Sequence, residues 1–339
     1  MTEPDPPSPE PSPGPRELVP VARASPLLPN LLEEDIETAR AYGEAARSPA
    51  TRRAYASDWA IFVAWCDARG IEPLPAEPAA VAIFLSAEAA AGVKPSTIGR
   101  RLAAIGYTHR QAGFDAPQER TGAIAIRNAV AGIRRTHGVK PERKRAADGD
   151  LLRDMLRAIE GDSPRAVRDR ALLAIGMAAA LRRSELVALD MADVGIVPEG
   201  LQLTINRSKT DQEGEGVGIA IPEGRRIRPK ALLLEWIALA GFEEGPVFRK
   251  LTPQGRITAK PMSDRGVAIV VKTRAAAAGY DPEVMAGHSL RAGFLTEAAR
   301  QGASVFKMRE VSRHKSLEVL SDYVRNHELF RDHAGERFL

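Results

Sequence analysis

A basic, aperiodic segment divides this chain of 339 residues into two stretches. Residues 134–145 read Arg-Arg-Thr-His-Gly-Val-Lys-Pro-Glu-Arg-Lys-Arg, with a Gly and a Pro and without the apolar spacing of a helix or a strand. This composition is typical of a linker, and its positive charge suggests that it lies near something negative. Each flanking stretch is long enough to bury its own core. We therefore expect two domains, residues 31–136 and residues 148–339, joined by a linker at residues 137–147.

The first stretch predicts helices only. Its apolar residues recur at intervals of three and four, as in the series Tyr55, Trp59, Phe62 and Cys66. A second stripe of the same period contains Ile98, Leu102, Ile105 and His109. Five helices are expected, at about residues 31–47, 51–69, 78–91, along the second stripe, and at 121–135. Residues 1–30 precede them as a tail, and eight prolines among the first twenty residues predict that this tail does not order itself.

The second stretch predicts a mostly helical domain with a small antiparallel sheet. Two runs with alternating apolar residues, 201–205 and 217–221, are expected to form strands joined by a polar turn. Helices are expected at about residues 148–159, 163–181, 230–240, 264–278, 289–301, 304–311 and 317–324. The predicted fold class is therefore mostly α with two domains, the first all-helical and the second α+β.

The overall composition excludes several classes of protein. With 44% apolar and 27% charged residues, the chain is typical of a globular protein. No apolar run approaches the roughly 18 residues that a membrane span needs, and the Pro-rich start is unlike a secretory signal, so we expect a cytoplasmic protein without a membrane partner. Its single cysteine, Cys66, excludes an internal disulfide and any Cys-x-x-Cys site, and predicts core packing. The net charge of +4 argues only weakly for a nucleic-acid partner.

Six residues of the second stretch are suited to chemistry at a phosphodiester: Arg182, Lys209, His288, Arg291, His314 and Tyr323. Two guanidinium groups can bind the non-bridging oxygens bidentately, and losing one such donor typically costs on the order of 3 kcal/mol of barrier. A phenol can be the nucleophile, while His and Lys side chains can transfer protons. Glu185 follows Arg182 by three residues, so its carboxylate could orient that guanidinium. This set needs no metal ion and no other cofactor.

Taken singly, these residues have ordinary explanations. A His-x-x-Arg pattern often occurs by chance, Lys209 alone would be a solvated charge on a turn, and Tyr323 alone would be half-buried packing. The ordered set is what carries the prediction.

Three segments resemble the tyrosine recombinase, or phage integrase, family. Ala-Leu-Arg182-Arg-Ser-Glu185-Leu resembles its first-arginine box, and His288-Ser-Leu-Arg291 resembles its His-x-x-Arg box. Residues 312–323 resemble the segment that delivers the nucleophile. The helical stretch is most similar to the Cre-like subgroup. Ala292 departs from the many members that have a second His at this position, a difference that Cre-like members share.

The resemblance implies a fold and a mechanism. The first domain would be a SAM-like core-binding domain, and together with the catalytic domain it would form a C-shaped clamp around duplex DNA. Tyr323 would form a 3′-phosphotyrosyl link, Lys209 would protonate the leaving 5′ oxygen, and His314 would hydrogen-bond a phosphate oxygen. Four protomers would recombine two DNA sites through a Holliday junction, without metal or ATP.

The resemblance also implies partners. The target would be double-stranded DNA with inverted repeats, bound by a homotetramer that is a monomer in solution and associates with the bacterial nucleoid when bound to DNA. The DNA contacts of the first domain would include Arg53, Thr97, Arg100 and Arg101, although a solvated face explains any one of them. The tail at residues 326–339 would dock on a neighbouring protomer, with a frayed end as the alternative.

Three other functions are compatible with these features. A type IB topoisomerase or a hairpin telomere resolvase would use the same chemistry, and the Cre-like helical domain favours recombination over both. A DNA-binding regulator that has lost its activity is the alternative from another class, and the complete set of catalytic residues argues against it.

Overall fold

The computed structural model describes residues 33–138, 144–206, 216–314 and 316–327. The chain divides into two compact units, residues 1–141 and 142–339. The prediction of a mostly helical fold with two domains and small antiparallel sheets is confirmed. The predicted N-terminal tail and Lys209 lie outside the described residues. No helix within the described ranges is both long enough and apolar enough to cross a membrane.

The described part of the first unit contains five α-helices, and all five were predicted. They are α1 (Glu33–Ala45), α2 (Pro49–Asp67), α3 (Pro78–Ala90), α4 (Pro95–Gln111) and α5 (Ile124–His137). Three of them begin with a proline, whose fixed φ and missing N–H suit the first helical position. At α2 the Ser48 side chain accepts a hydrogen bond from the Thr51 N–H and caps the helix.

The two apolar stripes meet in the core of this unit. Phe62, Cys66, Phe84, Ile98 and Ile105 are all buried there. Cys66 is fully buried in this core, which confirms the prediction that it packs there, and burial raises the pKa of its thiol to about 11.

His109 is also buried in this core as a neutral side chain. Its Nε2 accepts from the Ala76 N–H at 2.8 Å, so its Nδ1 carries the proton and donates to the Ile105 carbonyl oxygen at 2.8 Å.

The second unit has eight α-helices and five strands in its described part. The helices are α6 (Gly149–Arg157), α7 (Pro164–Ala178), α8 (Arg183–Ala188), α9 (Pro229–Ala240), α10 (Asp264–Ala277), α11 (Ser289–Arg300), α12 (Val305–Ser312) and α13 (Leu317–His327). The strands are β1 (Val194–Val197), β2 (Gly200–Ile205), β3 (Val217–Pro222), β4 (Arg249–Leu251) and β5 (Ile257–Pro261). The sequence predicted β2, β3 and every helix except α8. It missed α8, β1, β4 and β5, which span only three to six residues, because so short a segment carries little periodicity.

The strands form two antiparallel sheets. In the first, β2 lies between β1 and β3, and Leu203 is opposite Val194 on one side and Ile219 on the other. The second is a hairpin of β4 and β5. Residues 207–215, between β2 and β3, lie outside the described part of the chain.

Helix α7 runs through the main core of the second unit. It is buried on nearly all sides, and Asp169 lies within it. Each Asp169 oxygen accepts from a different arginine: Oδ1 from Arg168 at 2.7 Å and Oδ2 from Arg274 of α10 at 2.7 Å. This network links α7 to α10 without leaving the carboxylate unpaired.

A separate, smaller cluster holds the end of the described chain. Leu295, Ala299, Met308 and Leu320 are buried together, which packs α11, α12 and α13 against one another. Tyr323 and Val324 of α13 are partly buried against this cluster.

The chain begins the second unit in direct contact with α11. The Arg145 N–H donates to the Val284 carbonyl at 2.8 Å, and the Ala147 N–H donates to the Ser289 carbonyl at 2.9 Å. Gly293 allows this close approach, because a Cβ there would overlap the Ala147 carbonyl oxygen. Residues 144–147, which the sequence placed in the linker, are therefore bonded to the second unit.

Candidate active site

Arg182 lies between α7 and α8 and is oriented by Glu185. Its backbone N–H donates to Glu185 Oε2 at 2.8 Å, and its Nη1 donates to Glu185 Oε1 at 2.5 Å. Glu185 is buried in the first turn of α8, so one carboxylate satisfies the start of the helix and holds the guanidinium. The contact expected from the three-residue spacing is therefore present.

Arg291, in the first turn of α11, is buried and has two partners. Its Nη1 donates to the Ala180 carbonyl at 2.7 Å, and its Nη2 donates to His314 Nδ1 at 3.1 Å. Burial, together with the charge of Arg182, lowers the pKa of Arg291 to about 9. The guanidinium therefore remains protonated at neutral pH.

His314 is the hydrogen-bond partner of both Arg291 and Ser312. A guanidinium offers only donors, so the ring accepts from Arg291 Nη2, which lies 3.1 Å from Nδ1 and 3.5 Å from Nε2. The Ser312 hydroxyl lies 2.8 Å from Nδ1. Burial and the charge of Arg291 lower the pKa of His314 to about 4. At neutral pH the ring is therefore neutral, with one nitrogen that accepts and one N–H that can donate.

His288 precedes α11 and has an exposed side chain. Although the side chain is accessible, part of its ring is buried, and this burial is the main cause that lowers the pKa of His288. The positive charges of Arg183 and Arg291 lower it further. The Arg183 side chain crosses Gly287, where any Cβ would overlap it. His288 is therefore a neutral group at the accessible edge of a cluster of arginines.

Tyr323 is carried by α13 and is half-buried. A phenolate at Tyr323 would raise the pKa of Arg291, so the two side chains lie close enough to interact electrostatically. Lys209 lies outside the described residues, and its role stays a prediction.

Arg313 is a member of this site that the sequence analysis missed. It follows α12 in the left-handed region, with φ 54° and ψ 41°, and its side chain is only 6% exposed. Its Nη2 donates to Glu185 Oε2 at 2.6 Å, and its carbonyl accepts from Arg182 Nη2 at 3.3 Å. In the sequence, only its position next to His314 pointed to a role for Arg313. Its contact with Glu185 joins residues more than a hundred positions apart, and such a contact leaves no local pattern.

The DNA-contact candidates of the first unit differ in availability. Arg53 is exposed and Thr97 is half-buried. Arg100 is exposed and donates through Nε and Nη2 to the buried Asp58, at 2.7 and 3.0 Å. The side chain of Arg101 is only 13% exposed and is paired with Glu88, so it is the least available of the four to DNA.

The chain matches known proteins along most of its length. Residues 147–329 match the model of the phage integrase family. The chain is 33% identical over 296 residues to an integrase/recombinase xerD homolog of Selenomonas ruminantium, covering 87% of this chain and 86% of that protein.

Solved structures show the same fold. A lambda integrase dimer bound to a COC′ core site aligns with a TM-score of 0.56 at 19% identity, covering 85% of this chain and 75% of that one. A lambda integrase tetramer bound to a Holliday junction aligns with a TM-score of 0.50 at 18% identity, covering 82% and 72%.

Proposed function

Because this chain belongs to the phage integrase family and is a tyrosine-type site-specific recombinase, we propose that it cuts and rejoins DNA through a covalent bond between Tyr323 and a 3′ phosphate. One observation carries this proposal. Arg291 contacts His314 directly and lies within electrostatic range of Tyr323, which supports a single site for the nucleophile and the phosphate-binding groups. Glu185 joins Arg182 to the same site through Arg313.

The two arginines would hold the scissile phosphate. Nucleophilic attack gives a five-coordinate phosphorus with more negative charge on its non-bridging oxygens, and fixed guanidinium donors stabilise that charge. His314, whose ring is neutral at neutral pH, would add one N–H donor to the phosphate.

The chemical steps exchange one ester for another. The Tyr323 hydroxyl passes its proton to a base, for which we propose the neutral ring of His288, and its oxygen bonds to phosphorus. The bond from phosphorus to the 5′ oxygen breaks, and that oxygen takes a proton from Lys209. A 5′ hydroxyl from a second DNA strand then attacks the phosphotyrosyl bond and releases Tyr323. Each step makes one phosphorus–oxygen bond and breaks one, so no nucleotide is consumed.

We further propose a tetrameric assembly that acts at paired DNA sites through a Holliday junction. The support is the fold shared with lambda integrase, which has been observed as a tetramer on such a junction. Inverted repeats in the target would match the symmetry of paired protomers. In the first unit we propose DNA contacts by Arg53, Thr97 and Arg100. We also propose that the protein is bacterial and associates with the nucleoid when it is bound to DNA.

The experiment is covalent capture from a library of random nicked duplexes. We expect purified protein to form SDS-resistant adducts that enrich one sequence family. Tyr323→Phe should abolish the adduct. Tyr280→Phe is the matched control and should retain it, because the Tyr280 hydroxyl is bonded to Asp154 outside this site.

Three other outcomes would contradict the proposal. An adduct that persists in Tyr323→Phe would refute the assignment of the nucleophile. Equal adducts on all sequences, with relaxation of supercoiled plasmid, would indicate a topoisomerase. Binding without any adduct would indicate a regulator.

A further inference from the structure

We propose that Arg313 is a positioning residue that holds Glu185 and Arg182 in the geometry needed to bind the scissile phosphate. This inference rests on the proposed function. It assigns to the reaction a residue that would not itself touch the DNA.

Arg313 contacts both members of the Arg182 and Glu185 pair. Its guanidinium donates to Glu185 Oε2 at 2.6 Å, and its carbonyl oxygen accepts from Arg182 Nη2 at 3.3 Å. Arg182 in turn donates to Glu185 Oε1 at 2.5 Å. The three residues therefore form a closed ring of hydrogen bonds, so none of them can rotate without breaking a contact.

Arg313 combines two costly features at one position. The left-handed backbone is unfavourable for any residue with a Cβ, and burying a guanidinium sacrifices its hydration. Its Nη1 is satisfied by the Val311 carbonyl at 2.9 Å, but its buried Nε has no partner in the described part of the protein. Strained, incompletely satisfied residues persist at sites where the geometry serves function.

The charge of Arg313 changes what Arg182 can offer a phosphate. Arg182 and Glu185 alone form a neutral pair, which attracts an anion weakly. With Arg313 included, two cations share one carboxylate and the group carries a net charge of about +1. The ring therefore fixes the direction of the Arg182 guanidinium while leaving positive charge for the phosphate.

Arg313 also joins the two halves of the site. It is covalently attached to His314, which accepts from Arg291, and it is bonded to Glu185, which holds Arg182. The residue thus links the segment leading to Tyr323 with the first-arginine box.

The first test measures coupling without DNA. We would compare the denaturant midpoints of the full chain, Arg313→Gly, Glu185→Gln and the double variant. Glycine suits the left-handed backbone, so Arg313→Gly removes the guanidinium without adding strain. We expect each single variant to lower the midpoint and the double variant to lower it by less than the sum, because the contact between Arg313 and Glu185 can be lost only once.

The chain offers a closely matched control in Arg228→Gly. Arg228 has the same left-handed conformation, with φ 55°, but its side chain is exposed and lies 3.5 Å from Glu223. This variant loses the same charge and gains the same backbone freedom. It should show no coupling to Glu185→Gln.

The second test measures the rate of adduct formation on the captured duplex. We expect Arg313→Gly to slow the adduct by about tenfold or more, as for other residues that orient a ligand-binding group, and Arg228→Gly to leave it unchanged. Arg313→Lys keeps a cation, so its adduct rate should lie between those of the wild type and Arg313→Gly. This variant replaces Arg313→Gly in the test if the glycine variant fails to fold.

The pH dependence separates positioning from packing. Hydrogen bonds and charge from Arg313 and Arg182 lower the pKa of Glu185, whereas its burial raises it. Arg291 and His288 also interact electrostatically with this carboxylate. Without Arg313 the pKa of Glu185 should rise, so the loss of adduct rate on acidification should begin at a higher pH.

The outcomes distinguish the inference from the proposed function. Additive midpoints, or an adduct rate within twofold of wild type with an unmoved acid limb, would overturn the role of Arg313 while leaving the recombinase intact. If the wild-type protein forms no adduct, the proposed function fails, and the assigned role of Arg313 fails with it.

Discussion

The docking of α13 should depend on one buried leucine. Leu320 is fully buried with Leu295, Ala299 and Met308 in the small cluster that joins α11, α12 and α13. Because this cluster is separate from the main core, Leu320→Ala should loosen α13 and its Tyr323 without unfolding the domain.

The size of the effect follows from the cavity that the substitution leaves. Leu→Ala changes in protein cores cost about 2–5 kcal/mol, and the lower part of that range, about 2–3 kcal/mol, suits a small cluster with partly exposed neighbours that can relax. At about 1.4 kcal/mol per factor of ten, this raises the population of detached α13 by roughly 30- to 140-fold.

Hydrogen exchange read by mass spectrometry would measure this population. We expect peptides from residues 317–327 to exchange faster by about that factor, while peptides from α7 keep their protection. Leu317→Ala is the matched control on the same helix, because Leu317 is exposed. Unchanged exchange of α13 in Leu320→Ala, or equal acceleration in α7, would refute the idea that this cluster docks the helix independently.

Three further predictions follow from buried polar groups. Burial lowers the pKa of His109, so on acidification the unfolded state binds a proton that the folded state does not bind. The free energy of unfolding should therefore fall as the pH decreases below about 6.5. Fluorescence of Trp59, whose ring lies 6.0 Å from that of His109, should report a lower denaturation midpoint at pH 5.5 than at pH 7.5. His314 in the free protein should titrate near pH 4 by NMR, and a midpoint near 6.5 would contradict its burial beside Arg291. Asp169→Asn should cost about 3–5 kcal/mol in urea unfolding because it leaves the buried Arg168 and the half-buried Arg274 without their carboxylate, whereas the exposed Asp162→Asn should cost little.

Local patterns were sufficient to predict the helices and the outline of the site. The apolar stripe that ends at His109 correctly predicted helix α4, because a helix buried on one face repeats its apolar residues with a period of 3.6. The spacing of Arg182 and Glu185 predicted a contact that is present, because a carboxylate at the third position of a helix reaches back to the residue that caps it.

Contacts between distant segments were not predictable in this way. The pairing of Arg313 with Glu185 and of Arg101 with Glu88 joins side chains from different helices, and the sequence does not encode which helices meet. The hairpin of β4 and β5 was missed because its strands span only three and five residues and the second one ends in a proline.

The contact at Gly293 has a mechanical consequence. The backbone at residues 145–147 is bonded first to the Val284 carbonyl and then to the Ser289 carbonyl, which lies two residues before Arg291. Engineered insertions between residues 144 and 147 should therefore be disruptive, because even one added residue would shift the peptide that lies against Gly293 of α11.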